Sequence, residues 1–326
     1  MKSFLNKKPA QIPVYMINGF LESGKTDFIN FTITQDYFRT GERTLLVVCE
    51  EGEQEYDPKV LKRTNTFMEL IEDEEDFTVD ALNYLVNKDN VSRVIIEYNG
   101  MWQHKNIELP SDWKLEQQIT LIDASTFPMY FTNMKSMVSD MVRSSEMIIF
   151  NRCNESADLA SYKRNVKALN PQAEVIFEGP QGEINITLDE DLPYDINSDL
   201  LELDNFGFGI WYIDMMDNPD RYEGKTVSYV GQVLHPKQFP QGYFVPGRMA
   251  MTCCAEDMAF LGYATKFEGC KNLKERSWVK VTAVIKNEYF SDYQGVGPVL
   301  YAKEVVATGE PKQPVIDFSA PPDAQA

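Results

Sequence analysis

IPVYMINGFLESGKTDFINF, residues 12–31, decides the reading of this chain. The apolar run at 14–17 is of the kind that forms a buried strand. Gly19-Phe20-Leu21-Glu22-Ser23-Gly24-Lys25-Thr26 then fits the pattern G-x-x-x-x-G-K-[ST], and a helical spacing follows. Strand, glycine loop, lysine and helix in that order are the context a phosphate-cradling loop needs. The glycines let the main chain wrap close to an anion, with the N–H groups of the loop and the helix N-terminus turned toward it. Gly19, Glu22, Ser23 and Gly24 supply that stretch of backbone. Lys25 is expected to reach the β- and γ-phosphates of a nucleotide, and Thr26 to place its hydroxyl on Mg²⁺. A chance glycine turn is the bland alternative, and the flanking strand and helix argue against it.

Outward from the loop, residues 27–39 read as a helix stopped by Gly41. TLLVVC (44–49) is a second buried strand, ending in Glu50-Glu51-Gly52-Glu53. Residues 58–89 read as helical and acidic, with the run Glu72-Asp73-Glu74-Glu75-Asp76 as a solvated turn. VSRVIIE (91–97), QITLID (118–123), EMIIFN (146–151) and AEVIF (173–177) continue the strands. Helical stretches at 125–144 and 157–169 lie between them, with Pro128 suited to a first turn. Apolar strands alternating with helices predict an α/β domain of P-loop NTPase type, its mostly parallel sheet covered by helices on both faces. Such sheets bind ligands at the carboxyl ends of their strands. The glycine loop, Glu50, Glu97 and residues 151–154 all fall at such ends.

Past residue 179 the pattern changes. Residues 181–205 are acidic and turn-rich, read as a linker or a peripheral strand. Alternating segments follow in PDRYEGKTVSYVGQVL (219–234), RMAMTCC (248–254), WVKVTAVIK (278–286) and PVLYAKEVVA (298–307). Short strands separated by Gly and Pro predict a small all-β barrel over 206–310. The expected organisation is a nucleotide-binding domain over 1–180, an acidic linker, the barrel, and a loose tail over 311–326. No internal repeat is visible.

The composition, 43% hydrophobic and 25% charged over 326 residues, is that of a globular chain long enough for two domains. No run of about 18 apolar residues is present to cross a membrane. The opening MKSFLNKKPAQIP is basic but broken by Pro9 and Pro13, so no export signal is expected. Five cysteines then read as reduced thiols in a cytoplasm. A net charge of −19 repels nucleic acid and anionic lipid, so a nucleotide must be held by local geometry and Mg²⁺.

Glu97, at the end of the third strand in IIEYNG, is placed to hold Mg²⁺ through water or to orient an attacking water; with Lys25 it forms the expected catalytic pair. Glu50, with Glu51 and Glu53 beside it, is placed to carry a carboxylate to the same metal or to be a plain exposed acid. Asp123 reads as a helix cap. Asn151-Arg152-Cys153-Asn154 resembles the N-K-x-D guanine reader. Arg152 can stack on a base. Asn154 offers one carbonyl acceptor and an NH₂ group where the reader has a carboxylate, which weakens the preference for guanine.

Taken together, residues 14–177 resemble the CobW-like branch of P-loop GTPases, the class that also holds HypB and UreG. The resemblance rests on the G-F-L-x-x-G-K-T loop, on C-E-E-G-E where the family has N-E-x-G-E, on I-I-E-Y-N-G, on N-R-C-N, and on L-N-P-Q-A-E-V at 169–175. It implies GTP hydrolysis coupled to metal trafficking or cofactor assembly. The family's Cys-x-Cys-Cys motif is missing between the second and third strands, and Glu22 replaces a small loop residue. The C-terminal part resembles the soluble domain of YcgQ-like proteins through RMAMTCCAED, Trp278-Val279 and the stretch from Pro298, and its strand succession looks like an OB-type barrel. The implied partners are a nucleoside triphosphate and a client metalloprotein or permease component, with a homodimer possible. Two other readings stand beside GTP hydrolysis: a nucleotide-regulated binding protein with little turnover, and a metallochaperone holding Zn²⁺ through Cys253 and Cys254. Adjacent strand residues face opposite ways, so that pair reads equally as one buried and one partly exposed thiol. Tyr229, Tyr243 and Phe244 read as core packing ahead of an aromatic platform for single strands.

Overall fold

Parallel strands carry the glycine loop. The computed structural model describes residues 11–39, 41–154, 157–186, 192–251 and 258–318. Its first sheet holds β1 (Ile12–Asn18), β2 (Thr44–Val48), β3 (Thr66–Leu70), β4 (Arg93–Glu97), β5 (Trp113–Asp123), β6 (Met147–Asn151), β7 (Glu174–Gly179) and β8 (Gly182–Glu183). Their order is β3-β2-β4-β1-β5-β6-β7-β8, every neighbouring pair parallel except β7 with β8. The helices between them are α1 (Lys25–Thr34), α2 (Pro58–Arg63), α3 (Val79–Asp89), α4 (Phe127–Asn133), α5 (Lys135–Arg143) and α6 (Leu159–Leu169). β2 and β4 are buried along their whole length. Covered on both faces, they have no reason to alternate, hence the apolar runs LLVV in β2 and VII in β4. β1 lies between β4 and β5, with Ile17 opposite Glu97 and Asn18 opposite Thr120. The loop that leaves β1 therefore emerges between the carboxyl ends of those two strands.

Several expected elements take another form. Residues 58–89 are not continuous helix: α2 ends at Arg63, Asn65 turns through a left-handed φ of 57°, and β3 joins the sheet as an edge strand. An edge strand pairs on one side only, and Met68 and Leu70 stay exposed, so its sequence lacks the apolar run that marks the inner strands. The helix expected over 125–144 breaks at Met134 into α4 and α5, and α1 stops at Thr34.

The chain divides into two compact units: residues 1–159 with 172–185, and 160–171 with 186–326. Most of α6 thus groups with the second unit, where Lys163 and Lys167 both pair with Asp217. The second unit contains β9 (Leu200–Glu202), α7 (Asn205–Asp217), β10 (Thr226–Leu234), β11 (Tyr243–Met251), β12 (Met258–Leu261), β13 (Thr265–Lys266), β14 (Trp278–Phe290), β15 (Gly295–Ala307) and β16 (Val315–Asp317). β10, β11, β13, β15 and β14 pair in a closed ring, antiparallel except between β13 and β15. β9 adds to β10 within the stretch expected as linker. β16 pairs with β11, and Ile316 is buried, so residues 315–317 belong to the fold and not to a loose tail.

The largest departure from the sequence expectation is α7, a helix where an all-β segment was expected to begin. Asp204 caps it, its Oδ1 accepting from the Gly207 N–H at 2.7 Å. Phe208, Ile210, Trp211, Ile213 and Met215 are all buried, so the helix is apolar all round and has no amphipathic period to betray it. Gly209 is required there: a Cβ would lie 2.9 Å from the Phe318 ring and 3.1 Å from Ile316. Trp211 packs against the rings of Phe208, Tyr229 and Tyr263. Tyr229 and Phe244 are likewise buried in this core, and neither offers a free face to a base.

Trp211→Ala leaves a void at the centre of the second unit. It is expected to destabilise that unit by about 3–5 kcal/mol. Urea unfolding followed by near-ultraviolet circular dichroism reads this as a lowered midpoint.

Candidate functional site

The loop between β1 and α1 is a nest of left-handed backbone. Gly19 has φ 146°, Glu22 φ 61° and Gly24 φ 93°. Gly19 tolerates no side chain: a Cβ would stand 2.3 Å from Ser23 Oγ and 2.5 Å from the Leu121 carbonyl. α1 begins at Lys25, so Lys25 and Thr26 form its first turn with the free N–H groups of the helix end around them.

Lys25 is only 3% exposed. Its Nζ donates to the Gly19 carbonyl at 2.8 Å, to the Phe20 carbonyl at 3.0 Å and to the Glu50 carboxylate. Three acceptors match the three N–H bonds of an ammonium. Thr26 Oγ1 donates to Glu97 Oε1 at 3.0 Å, and the Tyr56 hydroxyl donates to Glu97 Oε2. Burial pushes the Glu97 carboxyl above its usual range, opposed by the bonds from Tyr56 and Thr26 and by the charge on Lys25. Burial, reinforced by the Glu97 charge, also raises the Tyr56 phenol, which stays a donor.

The Glu22 carboxylate is turned to the segment after β2, where its Oε1 accepts from the Glu53 N–H at 2.8 Å. Asn151 Nδ2 donates to the Ser23 carbonyl at 2.7 Å, and Arg152 Nη1 to the Glu22 carbonyl at 2.8 Å. Asn151 and Arg152 therefore grip the glycine loop from the carboxyl end of β6. Asp123 caps the following turn through Ser125 N–H at 2.8 Å and also pairs with Arg152 at 2.6 Å. Burial alone would raise Asp123, but the Ser125 and Arg152 contacts outweigh it and hold the carboxyl low.

Lys25, Thr26, Glu50 and Glu97 thus share one cleft, whose lining also includes Glu22, Gly24, Gln54 and Arg152, around a cavity of about 20 Å³. That is room for roughly one water, not for a triphosphate. Asn154 stands exposed after Arg152, outside that lining. Tyr56, Gln54 and the Asp123–Arg152 pair were not singled out in the sequence. Tyr56 alone left a trace there, as the aromatic in the acidic stretch E-Q-E-Y-D-P. Cys253, Cys254 and Asp257 lie outside the described residues. Elsewhere in the second unit, Cys270 is buried in the core and His235 Nε2 lies 3.0 Å from the Leu273 carbonyl. Among the described residues, no group of three His, Cys, Asp or Glu side chains is placed to hold a metal ion. Nor is any helix there long and apolar enough to cross a membrane.

Residues 13–177, just over half of the chain, match the family model described as CobW/HypB/UreG, nucleotide-binding domain. The chain belongs to the CobW/HypB/UreG family. Residues 184–316 match the DUF1980 C-terminal domain. No curated protein sequence matches this family member. Among solved structures it is similar to the hydrogenase maturation factor HypB from Archaeoglobus fulgidus, at 17% identity and a TM-score of 0.39 over 53% of this chain and 83% of that one. It is similar to the Zn(II)-bound YjiA GTPase from E. coli at 19% identity and 0.39, over 54% and 60%. It is similar to HypB from Helicobacter pylori in complex with nickel at 14% and 0.36, over 53% and 80%.

One group on the loop after β4 makes stability depend on pH. His104 packs on the Tyr98 ring, with centroids 5.0 Å apart, and burial pulls its imidazole down to about 4 against the charge of Asp140. The unfolded chain takes up a proton near the ordinary 6.5 while the folded chain does not. Stability is therefore full above that value and lost as pH falls toward 4, by about 2 kcal/mol at pH 4.5. Urea midpoints at pH 7 and 4.5 should show a smaller loss in His104→Gln than in the parent protein.

Proposed function

We propose that this family member is a Mg²⁺-dependent GTPase whose cleft is built by Gly19, Glu22, Ser23, Gly24, Lys25, Thr26, Glu50 and Glu97. The observation that carries the reading is the convergence of a buried ammonium, a helix-end hydroxyl and a strand-end carboxylate beneath a left-handed glycine loop. The donors fit the metal: Thr26, Glu97 and Glu50 offer hard oxygens, which suit Mg²⁺ and not a soft ion. Buried Ser23 Oγ, Asn151 Oδ1 and both polar atoms of Asn18 have no partner, which leaves bonding capacity around the loop. When bound, the ion would neutralise charge on the phosphates. Lys25 then holds β- and γ-phosphate oxygens, the loop amides orient them, and Glu97 positions the attacking water. Arg152 lies along the base, its plane set by Asp123 and the Glu22 carbonyl.

Coupling of this hydrolysis to metal trafficking, cofactor assembly or a permease-associated partner is supported by family membership. The absence of cysteine between Cys49 and Cys153 in the sequence turns the reading from a metal cargo held on the first unit toward a client met elsewhere on the chain. The closed five-strand ring, with its single parallel contact, supports an OB-type barrel as the arm that meets this client. The cytoplasm fits this reading. A nucleotide-regulated binding protein with little turnover is the second reading. It is favoured by Arg152, the arginine in the cleft lining, being committed to Asp123 and the Glu22 carbonyl.

GTP hydrolysis should fall by roughly 10²-fold or more in Lys25→Ala and in Thr26→Ala. Equal rates in all three proteins would remove the site. Tight GTP binding without phosphate release would leave the second reading. Asn154→Asp restores a charged acceptor for the base and should tighten GTP by about tenfold without tightening ATP; an equal effect on both would place the base elsewhere.

A further inference from the structure

The segment between β2 and α2 is anchored at both ends. The Cys49 N–H bonds to the Glu97 carbonyl at 2.9 Å, and Asp57 caps α2 by accepting from Lys59 N–H at 2.8 Å. Between those anchors the chain touches the glycine loop and its neighbours three times. Glu50 sits on the Lys25 ammonium, the Glu53 N–H on Glu22, and the Tyr56 hydroxyl on Glu97. Leu21 and Glu22 also lie directly against Gly52, where a Cβ would meet Glu22 Oε1 at 2.7 Å.

We infer that residues 50–56 form a self-occluding strap and that Glu50 is an internal competitor for the nucleotide, its carboxylate occupying the place on Lys25 that a phosphate oxygen takes. The inference rests on the nucleotide reading of the cleft. The exchange is one for one. Two of the ammonium's three N–H bonds stay on the Gly19 and Phe20 carbonyls, and the third passes from the carboxylate to the phosphates, where the β- and γ-oxygens share it. Both groups are anionic acceptors of similar bonding geometry. The ammonium, buried as it is, is never left without an acceptor in either state. The cleft's volume of about 20 Å³ is the measure of the occlusion. Tyr56 and Glu22 are the tethers that keep Glu50 in register with Lys25, and neither touches the ammonium itself. Opening therefore requires the incoming triphosphate to displace one charge contact and two hydrogen bonds together. In the closed arrangement Glu50 lines the same cleft as Thr26 and Glu97.

The experiment is equilibrium binding of a fluorescent GTP analogue (mant-GTP) in EDTA, so that no divalent ion takes part, to the full chain and to Glu50→Gln, Tyr56→Phe and Glu55→Gln. If the closed strap is populated about nine times in ten, Glu50→Gln tightens binding about tenfold. Tyr56→Phe, which removes a tether and no charge, tightens it by a smaller factor. Glu55→Gln removes an equal charge from an exposed acid on the same segment and leaves binding unchanged. Unchanged binding in Glu50→Gln, or equal tightening in Glu55→Gln, overturns the strap while the nucleotide site stands. If neither the parent protein nor any variant binds mant-GTP, with or without Mg²⁺, the nucleotide reading falls and the strap with it.

Discussion

An ammonium group taken out of water must be given an acceptor for each of its N–H bonds, or it does not stay charged and buried. Lys25 meets that condition only because the loop before it bends back far enough to present the Gly19 and Phe20 carbonyls. The bend in turn needs backbone at Gly19 and Gly24 that few other residues adopt. It also needs β1 to end between β4 and β5, so that Leu121 and Gly100 close in on Gly19. The register of the parallel sheet, the glycine pattern and the burial of one lysine are thus a single constraint seen at three scales.

That constraint explains which parts of the molecule could be read from the sequence. β2 and β4 are buried on both faces, so burial alone writes their middles as apolar runs. The edge strand β3 and the apolar helix α7 broke the rule in opposite directions. β3 is too exposed to look like a parallel strand, and α7 too uniformly buried to show a helical period. In the cleft, Lys25, Thr26 and Glu97 were legible because a motif or a strand end marks each of them. Tyr56 was not, since its role depends on where a loop of no fixed period comes to rest. The Arg152–Asp123 pair is a contact between two strand ends that only the β5–β6 register brings together.

The acidity of the chain gives these contacts added weight. With a net charge of −19, the long-range field opposes any polyphosphate. Attraction has to be generated within a few ångströms, where a low dielectric strengthens each contact. Glu22, Glu50 and Glu97 all lie within the cleft, and each is matched to a donor: the Glu53 amide, Lys25, and Thr26 with Tyr56. Acids so matched hold the cleft together and need not be expelled from it.

The same matching links the two sides of the glycine loop. Asn151 and Arg152 bond to the carbonyls of Ser23 and Glu22, while the Glu22 side chain bonds to the segment after β2. Glu22 is therefore held by its main chain to Arg152 and by its carboxylate to the segment that carries Glu50. A shift of Arg152 on meeting a base would be felt at Glu53 through one residue, whose own φ of 61° leaves it little slack. A small loop residue in that position could keep the first bond but not the second. Glu22 is thus the one loop residue that ties Arg152 to the segment carrying Glu50.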